Sequence, residues 1–101
     1  RQAIELHRAG RLGEAERACR QALRQDPAQP QALTLLGVIA RQAGRLDAAI
    51  DLLRRATQVA PDYADAYYNL GNALRDRNDR SQDDRTAAIE AYDRALALRP
   101  D

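Results

Sequence analysis

Apolar residues in the middle of the chain recur at spacings of three and four positions, which place side chains on one face of an α-helix. Two adjacent segments show this pattern most clearly: Leu33, Leu36, Ile39 and Ala40 in the first, and Leu46, Ala49, Ile50, Leu53 and Ala56 in the second. Together with the turn residues that interrupt it, the pattern predicts helices near residues 2–9, 13–25, 31–43, 47–59, 64–77 and 85–98. The predicted fold class is all-α.

The sequence repeats itself with a period of 34 residues. That shift superimposes the Gly-Arg-Leu of residues 10–12 on the Gly-Arg-Leu of residues 44–46. Later in the chain the spacing becomes 39, since the Ala-Ala-Ile of residues 48–50 recurs at residues 87–89. Five residues are therefore inserted near residues 78–85. Matches at one fixed period indicate stacked structural repeats.

Turn residues divide each repeat into a helix, a tight turn, a second helix and a break. Gly10, Gly44 and Asn78 stand at the tight turns, where a left-handed backbone ends a helix. The predicted units are a partial first repeat over residues 1–29, a second over residues 30–63 and a third over residues 64–101. We expect the insertion to form a lengthened, exposed turn, with a loop that contacts a partner as the alternative.

The repeat resembles the tetratricopeptide repeat, whose motif is W-x2-L-G-x2-Y, then A-x3-F, then P. The second unit has Leu33-x2-Leu36-Gly37-x2-Ala40, Ala49-x3-Leu53 and Pro61; the third has Tyr67-x2-Leu70-Gly71-x2-Leu74, Ala88-x3-Tyr92 and Pro100. The resemblance covers essentially the whole chain, although the Trp and the start of the first unit are absent. It implies a right-handed superhelical solenoid of about three helix–turn–helix repeats. The first helix of each repeat would line a concave groove.

A finer resemblance links residues 62–74 to the repeats of protein O-linked N-acetylglucosamine transferases. In that family an Asn before Leu-Gly holds the peptide backbone along the inner surface, and Asn69 matches that position. The equivalent residues in the earlier units are Leu35 and Arg1, so the resemblance implies a ladder with a single rung.

Helical spacing places a mostly polar set of side chains on the expected concave face. The candidate peptide-binding residues are Asn69, Asn72, Arg75, Tyr68, Asp65, Arg41, Val38, Thr34 and His7. His7, Arg41 and Arg75 recur at intervals of 34 and would stack as a cationic row. Such a row can grip an acidic segment or a C-terminal carboxylate. The alternative is that these are solvated side chains on exposed helix turns.

Composition excludes several other functions. Sixteen basic residues, all Arg, balance fifteen acidic ones for a net charge of +1, which argues against nucleic acid or an anionic membrane as a partner. No apolar run approaches the length of a membrane span. The single cysteine, Cys19, and the single His7 form no metal set. We therefore expect no metal or cofactor, and predict Cys19 as a small buried core residue.

We find no nucleophile with a recognisable base and no paired carboxylates, so we expect no catalysis within these residues. The favoured hypothesis is a module that binds an extended peptide or protein segment in the groove. The alternatives are a substrate-docking region of a larger enzyme, such as a glycosyltransferase, and a purely structural or oligomerisation scaffold. Because stacked repeats leave apolar ends, we expect flanking repeats or a capping helix in the parent protein, and end-to-end self-association of the isolated fragment.

Overall fold

The computed structural model describes residues 2–8, 10–77 and 82–99. Within these ranges the chain is an all-α solenoid with no strand, as the sequence predicts. The helices are α1 (Gln2–Arg8), α2 (Leu12–Gln25), α3 (Pro30–Gln42), α4 (Leu46–Val59), α5 (Ala64–Arg77) and α6 (Gln82–Leu98). The first five begin and end within one residue of the predicted positions.

The helices stack in chain order, and the stack bends toward its odd-numbered members. Each helix packs against the next, and α3 also lies against both α1 and α5. In contrast, the backbones of α2, α4 and α6 do not approach one another closely within the described ranges, although Leu23 of α2 and Leu52 of α4 pack in the same core cluster. Because the odd-numbered helices are closer together than the even-numbered ones, α1, α3 and α5 line the inner, concave side.

Glycine in the left-handed conformation ends the first helix of a pair. Gly44 has a φ of +79° and Gly10 a φ of +78°, which only glycine adopts without steric cost. After α3 the Arg45 amide donates to the Ala40 carbonyl at 2.9 Å, and the Gly44 amide donates to the Arg41 carbonyl at 3.0 Å. This hydrogen-bond pair satisfies the carbonyls at the end of the helix. Asn78, the third predicted turn residue, lies outside the described residues.

The two helices of a pair cross closely because glycine stands at the crossing point. A Cβ at Gly37 would lie 2.7 Å from Leu53 Cγ, and one at Gly71 would lie 2.8 Å from Tyr92 Cδ1. Cys19 stands where Leu53 and Tyr92 stand in the later repeats and is fully buried, which confirms the predicted core position. Burial raises the pKa of the Cys19 thiol above its ordinary value and makes it unreactive.

The predicted exposed turn over residues 78–85 is wrong for its last four residues. Residues 82–85 form the first turn of α6, which begins at Gln82, and residues 78–81 lie outside the described ranges. Asp84 is buried there and accepts two hydrogen bonds from Arg77, at the end of α5. A carboxylate in the first turn also suits the positive end of the helix dipole. Residues 82–85 of the charged insertion therefore extend α6, and Asp84 among them packs back against the end of α5.

Candidate functional site

The concave face carries most, but not all, of the side chains predicted for it. Tyr68, Asp65 and Arg75 are exposed, and Asn69, Val38, Arg41 and His7 are half-buried. Thr34 and Asn72 are corrections, because their exposed fractions are only 5% and 8%. Thr34 lies on α3, which packs against α5, and its hydroxyl has no hydrogen-bond partner within the described part of the chain.

Asn72 is buried because α6 packs closely onto α5. The absence of a side chain at Gly71 lets the Tyr92 ring lie against the α5 backbone. From that position the Tyr92 hydroxyl donates a hydrogen bond of 2.6 Å to Asn72 Oδ1. The Asn72 side chain therefore joins two helices and does not face the groove.

Asn69, in contrast, keeps hydrogen-bonding capacity toward the groove. Its side-chain nitrogen donates to the Asp65 carbonyl one turn earlier, at 2.8 Å. That bond uses one of its two amide hydrogens and leaves the amide oxygen available. The preceding residue, Tyr68, is exposed, and its ring lies 6.0 Å from the Tyr92 ring of α6 at an angle of 60°. A carboxamide and an aromatic ring therefore stand on successive residues of α5.

The predicted cationic row is a ladder of contacts between successive inner helices. His7 Nε2 lies 3.0 Å from Gln42 Oε1, and Arg41 Nε donates to Asp76 Oδ2 at 2.7 Å. Arg75, the third member, is mostly exposed and lies 3.6 Å from Asp76. The row therefore does not present three open cations, since the charge of Arg41 is already paired. In the sequence, Gln42 directly follows Arg41 and Asp76 directly follows Arg75. This recurrence of a hydrogen-bond acceptor after a member of the row is the sequence signal that could have identified the two pairings.

A cavity that sequence reasoning did not predict lies between α5 and α6, with a volume of about 430 Å³. Its lining residues are Ala64, Asp65, Tyr68, Tyr92, Ala95, Leu96 and Arg99. Arg99 Nη1 donates to Asp65 Oδ1 at 2.9 Å. The cavity is mainly apolar, and Tyr68 connects it to the concave face.

Residues 2–8, 10–77 and 82–99 contain neither a metal-binding cluster nor a membrane-spanning helix. No three residues drawn from His, Cys, Asp and Glu cluster closely enough there to hold a metal ion. Likewise, none of the described helices has the length and apolar character that crossing a membrane requires.

The different environments of the two asparagines predict different effects of substitution. We expect Asn72→Ala to lower the free energy of unfolding by about 1–2 kcal/mol, because it removes a part-buried hydrogen bond. We expect Asn69→Ala to change it by less than about 0.5 kcal/mol. Urea unfolding followed by far-UV circular dichroism measures both. Tyr92→Phe is the matched control, since it removes the same bond and keeps the ring. Equal stability of Asn72→Ala and wild type would contradict the structural role.

Comparison with known proteins identifies the repeat. The family model described as Tetratricopeptide repeat matches residues 1–64 and again residues 48–101, which together span the chain. Tetratricopeptide repeat protein 36 from Bos taurus is 40% identical over 70 residues, a match that covers 69% of this chain and 35% of that protein. The chain thus spans about a third of the length of this curated relative.

Solved structures show the same fold. A mutant O-GlcNAc transferase from Thermobaculum terrenum superposes with a TM-score of 0.91 at 37% identity, covering 98% of this chain and 18% of that chain. A MamA crystal structure gives a TM-score of 0.84 at 28% identity, covering 97% of this chain and 51% of that one. The first TPR of Spaghetti (RPAP3), bound to the HSP90 peptide SRMEEVD, gives 0.87 at 20% identity, covering 99% and 75%. The last likeness shows the fold alone.

Proposed function

The chain belongs to the tetratricopeptide repeat family, and from that premise we propose that its concave face binds an extended peptide segment of a partner protein. Repeats of this family generally mediate protein–protein interaction. The observation that carries the proposal is the inward bend of the stack. It places α1, α3 and α5 side by side. The resulting groove runs across all three of these helices.

The side chains of the groove suit a peptide backbone better than a small molecule. Asn69 offers an amide oxygen and one amide hydrogen, which can pair with successive peptide groups of an extended segment. Val38 on the neighbouring helix is half-buried and apolar, and Tyr68 adds an exposed aromatic ring. Together they provide polar contacts for the backbone and apolar contacts for the side chains of the segment.

We place the preference for an acidic segment or a C-terminal carboxylate on Arg75. It is the member of the cationic row with the largest exposed surface, since Arg41 is held by Asp76. A carboxylate of the ligand would form a charge-assisted hydrogen bond with the Arg75 guanidinium. The neighbouring Asp76 would compete with the ligand carboxylate for the Arg75 guanidinium. We therefore expect the peptide to bind with moderate affinity, and the binding to weaken strongly as the salt concentration rises.

A pull-down from an extract of the source organism tests the groove. Immobilised wild type is compared with Asn69→Ala/Arg75→Ala, which leaves the buried Asn72 intact. The control is Arg55→Ala/Gln58→Ala, which removes an Arg and an amide from exposed positions on α4, outside the groove. We expect wild type and the control to capture the same partner and the groove variant to lose it. Capture that weakens at about 1 M salt, where the Debye length falls to about 3 Å, would implicate Arg75.

Equal capture by the groove variant would contradict the proposal. Binding would then have to involve another surface of the chain. Absence of any capture by wild type would favour the scaffold role instead.

A second candidate function is substrate docking for a larger enzyme. The observation in its favour is the match to the O-GlcNAc transferase of Thermobaculum terrenum, of which this chain covers 18%. Reading the gene on both sides of the 101 codons tests it: a glycosyltransferase domain in the same reading frame is the expected result. A gene without a catalytic domain would exclude this candidate and leave peptide binding unaffected.

A further inference from the structure

A small crevice opens between the outer helices α2 and α4, on the opposite side of the molecule from the peptide groove. Its volume is about 50 Å³, several times the roughly 10–15 Å³ that one water molecule requires, so it has room for a short side chain. Ile39 of α3 and Leu52 of α4 give it an apolar lining, and Ala43 lies at its α3 end. Both walls belong to the middle of the stack, so a further repeat at either end of the solenoid would leave the crevice open.

The rim of the crevice carries an arginine that has no partner. Within the described part of the chain, the Arg45 side chain forms no hydrogen bond and no ion pair. The other charged residues of the rim are Glu16 and Arg20, which pair with each other, since Arg20 Nη2 donates to Glu16 Oε2 at 3.0 Å. Two arginines and one glutamate give the rim a net charge of +1, and that charge belongs to the open guanidinium of Arg45.

The next repeat shows how the equivalent place between two outer helices is closed. Arg77 stands 34 positions after Ala43, and Asp84 stands 39 positions after Arg45, which are the two repeat spacings of this chain. From the end of α5, Arg77 donates to Asp84 of α6 at 2.7 Å and to Asp47 of α4 at 3.1 Å. An arginine from the inner helix thus joins the two outer helices α4 and α6.

Between α2 and α4 the same two positions do not form this pair. Ala43 is too short to cross the crevice, and Arg45 brings a cation to the position that the Asp84 carboxylate has in the next repeat. The member that is missing here is therefore an anion. It needs an aliphatic stem to pass Ile39 and Leu52. A glutamate side chain meets both requirements, because it carries an acceptor carboxylate on two methylene groups.

From this comparison we propose that the crevice binds a glutamate side chain from an acidic segment of a partner protein. The carboxylate would accept a charge-assisted hydrogen bond from Arg45, and its methylene groups would pack against Ile39 and Leu52. Arg17, exposed on α2 one turn before Arg20, extends the positive surface, so acidic neighbours of the glutamate would add to the attraction. The site lies on the convex side and does not depend on the proposed groove.

Methyl NMR of the intact chain tests the site with a peptide of six Glu-Ala repeats, acetylated and amidated so that it has no terminal carboxylate. We expect saturable shifts at Ile39 and Leu52 and none at Ile50, which is buried between α4 and α5. The matched peptide of six Gln-Ala repeats should produce none. We expect Arg45→Gln to weaken binding about fivefold or more. The control Arg55→Gln removes an exposed arginine of α4 outside the crevice and should change binding less than about twofold.

A second measurement needs no added peptide. Ala43→Glu supplies the carboxylate from within the chain, as Arg77 supplies the guanidinium in the next repeat. The urea midpoint of Ala43→Glu, measured relative to Ala43→Gln, should be higher in the presence of Arg45 than in the Arg45→Gln background. The same difference in both backgrounds would contradict an attraction between Arg45 and a carboxylate in the crevice.

Three outcomes of the titration would overturn the proposal. The first is absence of shifts at Ile39 and Leu52 with the Glu-Ala peptide. The second is equal shifts with the Gln-Ala peptide, because the crevice would then not recognise charge. The third is equal weakening by Arg45→Gln and Arg55→Gln, because the attraction would then be to the net charge of the chain. The shifts should persist in the groove variant of the pull-down, so failure of the groove and failure of the crevice are separate results.

Discussion

Gly37→Ala should lower the free energy of unfolding by about 1–3 kcal/mol, although alanine is ordinarily the better helix former. The added Cβ would lie 2.7 Å from Leu53 Cγ, closer than carbon atoms approach without moving. Leu53 is fully buried, so it has no space into which to retreat. Urea unfolding monitored by circular dichroism gives the free energy.

Two further variants separate crowding from other effects of the substitution. Leu53→Ala alone should cost about 2–5 kcal/mol because it leaves a cavity. The double variant Gly37→Ala/Leu53→Ala should lose less stability than the sum of the two single variants, since the new methyl group then enters that cavity. Gly13→Ala is the matched control: its Cβ would meet only Arg17 Nη1, at 3.8 Å, so it should stabilise α2 by about 0.5–1 kcal/mol. If the stability losses of Gly37→Ala and Leu53→Ala were additive in the double variant, the close crossing of α3 and α4 would be contradicted.

Arg77→Met should destabilise the chain by about 1–3 kcal/mol, because it leaves a buried carboxylate without its partner. Arg77 donates to Asp84 through Nε at 2.9 Å and Nη2 at 2.7 Å, and to Asp47 through Nη1 at 3.1 Å. One guanidinium therefore joins α4, α5 and α6. The control is Arg11→Met, which should cost less than about 1 kcal/mol. It removes an exposed ion pair with Glu14, three residues further along the chain.

The pH dependence of this effect has a definite sign. The hydrogen bonds from Arg77 hold the pKa of Asp84 below its ordinary value of 3.8. A lowered pKa in the folded state stabilises the protein above the unfolded pKa, and this contribution is lost as the pH falls through the folded pKa. The difference in free energy of unfolding between wild type and Arg77→Met should therefore reach its maximum at pH 7 and decrease below about pH 4. A difference that stays constant down to pH 2 would contradict an ionised Asp84 as the cause.

Local sequence pattern was sufficient to predict the helices and the repeat. A tight turn needs a left-handed residue, and Gly44 has the expected positive φ. A close crossing needs a small residue, and the repeat motif has Gly37 where Leu53 packs against α3. These features depend on neighbours within one repeat, so the spacing of residue types contains the information.

The candidate site could be predicted only in outline. Helical spacing assigned Asn69 and Asn72 to one face, but it could not show that the Tyr92 hydroxyl reaches Asn72. It identified Arg41 and Arg75 as equivalent, but Arg41 is paired with Asp76, 35 positions away. These contacts join different repeats, and the distance between two helices is not a property of either helix alone.

What the sequence determined by itself was the identity of each repeat position. Ile50 and Ile89 are the same residue at the same position of successive units. What only the tertiary structure decided was the environment of each position: Ile50 is buried and Ile89 is exposed. The physical reason is that burial depends on the helix packed against a surface: α5 covers the α3/α4 pair, whereas none of the helices among residues 2–8, 10–77 and 82–99 packs on the equivalent face of the α5/α6 pair.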